Sequence, residues 1–195
     1  MKECLFELLA RFLAWTPIVK FTWWFSKDKT YYHLDGYVKR YWCMPRWMLK
    51  KVYRTKENTS DYHLKGLTTF YYFEPKPWVP GLLQLRQHHY FGPDPSLLHH
   101  DHPADSRTFV QAGFMHDEVV ENDYIIRYEV FGGLKRTAFR PAEQLHRLIK
   151  VFESHKSLSI SGAKCITLWQ RGKTRREWGF VDNDGKWIHN KEYLK

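Results

Sequence analysis

The stretch LLHHDHPAD, which runs from Leu97 to Asp105, concentrates three histidines and two aspartates in nine residues. Side chains on a strand alternate between its two faces, so in an extended conformation His99 and Asp101 share one face. His100 and His102 share the other face. The first pair would begin a His-x-Asp iron site of the two-histidine-one-carboxylate kind, and the second would begin an all-histidine site. The register of this segment therefore decides which chemistry the chain supports.

A third ligand has to come from another strand, because one His-x-His pair supplies only two donors. His146, in the segment RPAEQLHR, is the candidate, since it lies far enough downstream for other strands to intervene. Pro141 would form the turn that enters its strand. Three neutral imidazoles suit Fe(II), Zn, Ni, Cu or Mn and leave coordination positions open, as a catalytic metal requires. Without a metal, the same histidines would bind the polar groups of a ligand directly.

The segments on both sides of the histidines have the pattern of short strands. Apolar residues alternate or run together in LLQLRQHHYF (82–91), TFVQAGFMHDEVV (108–120), YIIRYEVF (124–131), TAFRPAEQLHRLIKVF (137–152) and KCITLWQRG (164–172). VDNDGKW (181–187) predicts a hairpin that turns at Asp184-Gly185. Several short strands, with little helix after residue 80, predict a mainly β sandwich or barrel.

The first 80 residues have a different pattern. Leucine and phenylalanine recur at helical spacing over residues 3–15 and predict an amphipathic helix that ends near Thr16-Pro17. We expect this helix to pack on the body of the protein; the aromatic FTWWF (21–25) suggests a membrane-surface or oligomer-forming helix as the alternative. Residues 31–47 are strand-like, and KKVYRTKENTSDYHLKG (50–66) predicts a long surface connection or hairpin. The three prolines of EPKPWVPG (74–81) mark a boundary, which divides the chain into an extension, 1–80, and a barrel, 81–195.

Charge and cysteine content narrow the class of protein. The formal net charge is +10, so nucleic acid, a nucleotide or anionic lipid is a conceivable partner. We find no motif for direct nucleic-acid binding. The three cysteines lack paired spacing, which favours a reducing compartment over a disulfide framework. Charged residues interrupt the apolar N-terminus, and no run reaches the length of a membrane span. These features predict a cytoplasmic protein.

Four short motifs in this order resemble those of the cupins, whose first motif contains His-x-His and whose second contains Pro-x-Gly-x-x-His. The motifs are HDHP (100–103), Gly113-Phe114, RPA (140–142) with His146-Arg147, and RREWGF (175–180). The same set is similar to that of uncharacterised cupin-like proteins of bacteriophages. The resemblance covers roughly residues 81–193. It implies a double-stranded β-helix, or jelly-roll, barrel with the 1–80 segment as a helical and aromatic extension, a homodimer, and a location in the cytoplasm of a phage-infected bacterial cell.

The resemblance favours His100, His102 and His146 as ligands over the His99, Asp101 and His146 triad of 2-oxoglutarate oxygenases. Two positions depart from the cupin pattern. Ser106 and Arg107 occupy the place of the usual glutamate, with Asp105 one residue too early, and Glu143 replaces the glycine of the second motif. A three-histidine site without a fourth protein ligand is therefore expected.

Other site residues follow from charge and position. Glu143 or Asp105 is the nearest acid or base, and an arginine such as Arg107 or Arg176 would orient an anionic group. Arg140 could reach the mouth of the barrel, and Trp178 could stack on a ring. The remaining histidines have no partner spacing and are predicted at the surface or in supporting positions around the site: His88, His89, His116, His155 and His189.

Two functions from different classes fit these residues. The first is a metal-dependent enzyme with dioxygenase-like chemistry on a small anionic molecule, with one divalent metal, preferably Fe(II) and otherwise Zn, Ni or Mn. The second is a non-catalytic binding protein of phage origin that sequesters a nucleotide, a host-defence signal or a host partner. Loss of activity in His146→Ala would support the first, and ligand binding that survives metal removal would support the second.

Overall fold

The computed structural model of the 195-residue chain describes residues 2–34, 36–53, 71–122 and 125–193. In this part of the chain the helices are α1 Lys2–Leu13, α2 Thr16–Ser26, α3 His155–Ser161 and α4 Asn190–Tyr193. The strands are β1 Thr30–Leu34, β2 Val38–Trp42, β3 Leu49–Tyr53, β4 Tyr71–Pro75, β5 Leu85–Tyr90, β6 His99–His100, β7 Ser106–Ala112, β8 Phe114–Glu121, β9 Ile125–Phe131, β10 Thr137–Arg140, β11 His146–Phe152, β12 Cys165–Arg171, β13 Gly179–Val181 and β14 Trp187–His189.

Eight consecutive strands, β5 to β12, form two antiparallel sheets. Their order is β5-β12-β7-β10 in the first sheet and β6-β11-β8-β9 in the second. The chain thus passes repeatedly from one sheet to the other. Val110 of the first sheet and Leu148 of the second belong to the same buried cluster, so the two sheets enclose a shared core. This strand order is a jelly roll, and the predicted mainly β, cupin-type barrel with N-terminal helices is confirmed.

Further strands extend both sheets beyond the jelly roll. β1 and β2 continue the first sheet past β5, and the β13–β14 hairpin continues the second sheet past β6. The predicted turn at Asp184-Gly185 joins β13 to β14, and Gly185 has a φ of +79°. Strands that precede residue 80 are therefore hydrogen-bonded into the barrel sheet. The division of the chain at residues 80 and 81 stays a prediction.

A separate two-stranded sheet lies beside the barrel. β3 and β4 pair antiparallel from Leu49↔Pro75 to Tyr53↔Tyr71. The indole N–H of Trp42 donates a hydrogen bond to the carbonyl oxygen of Phe73 at 2.6 Å and ties this sheet to β2. Residues 54–66 of the basic segment predicted as a connection or hairpin lie outside the described residues.

Two helices rather than one occupy the N-terminus. The predicted first helix is α1, in which Ala10 is fully buried and Phe6 contacts Phe109 of β7 with ring centroids 6.5 Å apart. The FTWWF segment lies in α2, a helix that the sequence pattern did not indicate. Pro17 occupies its first turn, where proline is tolerated because the backbone N–H groups there have no intrahelical partner. None of the described helices is long and apolar enough to cross a membrane.

Strand β5 is buried on both faces because the barrel interior covers one face and helices cover the other. Arg86, His88 and Tyr90 alternate onto the inner face and line a cavity. On the outer face Gln87 donates a hydrogen bond to Thr22 of α2, and the ring of His89 lies 4.5 Å from that of Trp23. His88 and His89 are 6% and 1% exposed, so neither lies at the surface. Of the two predicted alternatives, a position around the site applies to His88, which lines the cavity.

Gly113 allows the chain to pass from β7 to β8. Its φ is +79°, and an added Cβ would overlap the carbonyl oxygen of Lys164 and lie 2.8 Å from that of Phe152. We therefore expect Gly113→Ala to destabilise the fold by clearly more than the roughly 1–3 kcal/mol of an unfavourable backbone conformation alone. Gly162→Ala is the matched control, since its φ is +71° but nothing lies within 4 Å of an added Cβ. Equal losses of unfolding free energy in urea would contradict this account.

The burial of His89 predicts a pH dependence of stability. Burial, with smaller contributions from His33 and Lys39, lowers the pKa of His89 from 6.5 to about 3. The unfolded chain binds a proton near pH 6.5 that the folded protein excludes, so stability is complete above that pH and decreases as the pH falls toward 3. Urea unfolding at successive pH values should show this loss, and His89→Gln should show a smaller one. An unchanged slope in the variant would refute the assignment to His89.

Candidate functional site

Three histidines converge inside the barrel. His100 lies on β6, His102 follows it, and His146 begins β11, directly opposite His100 in the β6–β11 ladder. One donor nitrogen from each residue lies within 4.8 Å of the other two. Nε2 of His102 and Nε2 of His146 are 2.7 Å apart. The structure thus brings together all three histidines predicted as metal ligands, which we call the His triad.

The alternative pair of residues points elsewhere. Nε2 of His99 lies 3.3 Å from a carboxylate oxygen of Glu118. Asp101 accepts a hydrogen bond from the backbone N–H of Gly179 at 2.8 Å and forms an ion pair with Arg176, also at 2.8 Å. Asp101 therefore attaches β13 to the segment that follows β6. Of the two registers of LLHHDHPAD, the one that places His100 and His102 together occurs in the structure.

Burial keeps the imidazoles of the His triad suited to a metal. It lowers the pKa of His100 to about 3, with a further contribution from His146. Burial likewise holds the pKa of His102 well below 6.5. At neutral pH these two imidazoles are uncharged, which is the form that coordinates metal. Three imidazole donors within one coordination sphere fit a divalent transition ion and leave positions for other ligands.

Carboxylates behind two of the histidines orient their rings. Nδ1 of His146 lies 3.1 Å from Asp117, and Asp117 in turn accepts a hydrogen bond from Arg140 at 3.0 Å. Burial alone would raise the pKa of Asp117, but the facing His146 and Arg140 outweigh it and lower the pKa. Ionised Asp117 accepts a hydrogen bond from the Nδ1–H of His146, so Nε2 of His146 is left free to coordinate a metal.

Asp94 lies behind His100 at a longer distance, without a hydrogen bond to it. Its Oδ2 is 3.4 Å from Nδ1 of His100, and its Oδ1 accepts a hydrogen bond from the backbone N–H of Ser96 at 3.0 Å. Burial raises the pKa of Asp94, although the Ser96 N–H opposes that shift. A carboxylate beside each of two triad histidines is the supporting arrangement typical of metal-ligating imidazoles.

The His triad opens into a cavity of about 360 Å³ between the two sheets. Apolar side chains from both sheets, such as Met115 and Phe131, form part of its wall. The other lining residues are rich in cations and aromatic rings: Tyr31, Tyr37, Arg40, Arg86, His88, Tyr90, Arg140, Trp169, Arg171 and Trp178. Arg140 and Trp178 therefore lie where the sequence analysis expected ligand-binding residues. Arg140 is occupied by Asp117 and Glu129, with the latter at 2.5 Å.

Other predicted site residues do not line this cavity. Arg107 lies under α1, where its guanidinium forms an ion pair with Glu3 at 2.7 Å. Asp105 and Glu143 both bind the exposed guanidinium of Arg175. Arg107 lies on β7 of the first sheet. Because side chains alternate between the two faces of a strand, its side chain points away from the barrel interior and toward the helices. The catalytic roles expected of Asp105 and Glu143 stay predictions.

The sequence analysis missed several residues of the cavity. Arg86, His88 and Tyr90 alternate along LLQLRQHHYF, so the period of a strand could have assigned them to one face. Asp94 and Asp117 had no such signal. Asp117 reaches His146 only because β8 and β11 pair in a register that makes them diagonal neighbours.

The fold and the site together define a cupin-type barrel: a jelly roll whose interior holds a His-x-His pair and a third histidine from a later strand. No family model and no curated protein matches the chain.

Solved structures with a similar fold include hydroxypropylphosphonic acid epoxidase from S. wedmorenis, at 7% identity and TM-score 0.37, covering 73% of this chain and 53% of the epoxidase. Oxalate decarboxylase from Bacillus subtilis is similar at 8% identity and TM-score 0.40, covering 84% of this chain and 31% of the decarboxylase. A cupin 2 conserved barrel domain protein from Rhodopseudomonas palustris matches at 10% identity and TM-score 0.35, covering 80% and 78%. The chain thus spans about half of the epoxidase. The assignment of the fold rests on strand order, not on these distant likenesses.

The contact between Asp117 and His146 predicts a measurable effect on metal affinity. Asp117→Asn removes the charge that holds the His146 ring, so we expect the affinity for Zn²⁺ or Co²⁺ to fall about 10- to 100-fold. Competition with a chromophoric chelator measures this change. Glu118→Gln is the control, because Glu118 binds Arg147 and His99 instead of the His triad. Equal affinities in the two variants would show that Asp117 does not support the site.

Proposed function

We propose that this protein is a metal-dependent enzyme that acts on a small anionic molecule. The single observation that carries the proposal is the convergence of three half-buried histidine donors within 4.8 Å of one another at the wall of a cavity. Neutral imidazoles in a partly closed site are costly to bury without a partner, and a metal ion satisfies their nitrogen donors.

His100, His102 and His146 would hold one divalent transition metal, for which Fe(II) is our first choice and Zn, Ni or Mn are alternatives. When bound, such an ion supplies Lewis acidity and, in the case of Fe(II), redox chemistry with dioxygen. Asp117 keeps Nδ1 of His146 protonated and its Nε2 free. The surrounding sheets restrict water at the reacting centre, where a lower local dielectric strengthens electrostatic contacts with an anionic substrate.

The wall next to the His triad suits a flat substrate. The ring of Trp178 lies 6.3 Å from that of His100 and lines the cavity, where an indole can stack on a flat ligand. Arg140 contributes through Asp117 and Glu129 rather than through direct contact with an anion, since both carboxylates already bind its guanidinium. We further propose dioxygenase-like chemistry, with Glu143 or Asp105 as the acid or base. The protein would be a homodimer, and it would act in the cytoplasm of a phage-infected bacterial cell.

A second candidate function is the sequestration of a nucleotide without catalysis. The observation that favours it is the composition of the cavity wall, where arginines alternate with tyrosine and tryptophan rings. Guanidinium groups bind phosphate, and aromatic rings stack on bases. In this alternative the histidines bind the polar groups of the ligand directly, and removal of metal leaves ligand affinity unchanged.

Elemental analysis of the purified, tag-free protein tests the metal centre. We expect about one transition-metal ion per chain, and we expect its loss in His100→Ala because that imidazole belongs to the His triad. His99→Ala should keep the metal, since His99 faces Glu118. Inductively coupled plasma mass spectrometry gives the ratios.

The outcomes separate the two functions. Metal in His99→Ala but not in His100→Ala supports the proposal and directs the next step to oxygen-uptake assays with the Fe(II)-loaded protein. Loss of metal in His99→Ala alone would contradict the assigned ligands. Absence of metal from every sample after reconstitution would reject the metal-dependent enzyme, and a nucleotide extracted from the same protein would support sequestration.

A further inference from the structure

The cavity contains a second polar group besides the His triad, on the inner face of β5. Arg86 is 6% exposed, and its guanidinium lies among aromatic rings, 4.1 Å from the centroid of Trp169 and 4.7 Å from that of Tyr31. Burial lowers the pKa of Arg86 to about 10, so it carries its positive charge at neutral pH. A fixed cation therefore lies within the same cavity as the His triad.

The charge of Arg86 is not neutralised by the described part of the chain. No described carboxylate lies within ion-pair distance of its guanidinium, and its buried Nε has no hydrogen-bond partner. Two other buried arginines of the same sheet differ: Arg107 is paired with Glu3, and Arg140 with Asp117 and Glu129. The aromatic faces and a hydrogen bond with Tyr31 offset only part of the cost of burying a cation.

His88, two residues along the strand, faces the same way. It is 6% exposed, its ring stacks on Trp169 with centroids 5.6 Å apart, and its buried Nε2 has no partner. Its Nδ1 lies 3.2 Å from the hydroxyl of Tyr90. Burial holds the pKa of His88 well below 6.5 and raises the pKa of Tyr90, so both groups are neutral.

We propose that Arg86 and His88 form an anion subsite that binds the carboxylate or phosphate group of the molecule on which the His triad acts. The Tyr90 hydroxyl donates to Nδ1 of His88, which leaves the imidazole proton on Nε2 as a donor to the anion. The guanidinium of Arg86 supplies donors in a planar fork that matches two oxygens of such a group. This inference rests on the proposed function for the role of the His triad, but the subsite itself does not need a metal.

The size and the walls of the cavity around the subsite limit the class of substrate that can bind. A cavity of about 360 Å³ is at the small end of ligand pockets, which suits a compact organic anion rather than a polymer. Trp169 backs both Arg86 and His88, so the anionic group binds beside a flat apolar wall. The substrate is thus an organic acid or a monophosphate with its reactive part directed toward the His triad.

Calorimetric titration with three probes tests the subsite: inorganic phosphate, phenyl phosphate and benzoate. Each is added to the full-length protein after chelation and again after Zn²⁺ loading. We expect at least one probe to bind, and Arg86→Gln to weaken its binding at least tenfold. Arg86→Lys, which keeps the charge but loses the fork, should weaken it less. Preference for benzoate or for the phosphates identifies the anion.

Arg107→Gln is the matched control, because Arg107 is equally buried in the same sheet but paired with Glu3 outside the cavity wall. It should change probe affinity less than twofold. Failure of all three probes to bind, or equal affinities for the wild type and Arg86→Gln, would overturn the subsite. Metal analysis of the same samples keeps the two tests apart. A wild-type protein that contains metal but binds none of the probes rejects only the subsite, and a wild-type protein that binds a probe but takes up no metal rejects only the metal-dependent enzyme.

The melting temperature gives an independent measurement that distinguishes an arginine that binds an anion from one that serves only packing. If Arg86 is present to bind an anion, Arg86→Met should keep or raise the melting temperature, because the variant removes a buried charge without a counterion. The binding probe should stabilise the wild type and not this variant. A marked loss of stability in Arg86→Met, together with equal stabilisation by the probe, would assign Arg86 to packing instead.

Discussion

In the second sheet β11 lies between β6 and β8, and its register determines which residues His146 faces. His146 faces His100 across one edge of β11 and approaches Asp117 across the other. Because side chains alternate along a strand, a slip of one residue would turn His146 out of the barrel and separate it from both partners. The His triad, the carboxylate behind His146 and the adjoining cavity therefore depend on one strand pairing.

Two buried arginines of the cavity wall, Arg140 and Arg86, differ in the groups that surround their guanidinium groups. Arg140 is held by two carboxylates and works as part of the structure behind His146. Arg86 has no carboxylate among the described residues and contacts aromatic faces instead. Full neutralisation favours a rigid support, whereas an uncompensated cation favours the binding of an anion. Arginine thus has two roles in the cavity: Arg140 supports the position of Asp117 behind His146, and Arg86 is the residue that we propose binds the anion.

The N-terminal helices explain why so many polar residues are buried outside the cavity. α1 and α2 cover the outer face of the first sheet, so residues that would contact water in a bare jelly roll require partners within the protein. Gln87 donates hydrogen bonds to Thr22 and Gln111, and His89 pairs with Ser161. These contacts give the Gln87 amide N–H groups and Nδ1 of His89 partners within the protein and fix α2 and α3 against the barrel. The extension is therefore continuous with the packing of the barrel.

The local sequence was sufficient for the strand content, the turn at Gly185 and the first helix, because period and turn residues are properties of short segments. It left two registers of the histidine segment open, and the resemblance to the cupins favoured the one with His100, His102 and His146. It proposed Arg107 for the site and missed Arg86, which lines the cavity, and it did not find Asp94 or Asp117. Those positions depend on which face of a strand is enclosed and on pairing between distant strands. Tertiary structure alone decided them, since register and helix packing determine which polar side chains meet and which remain without a partner.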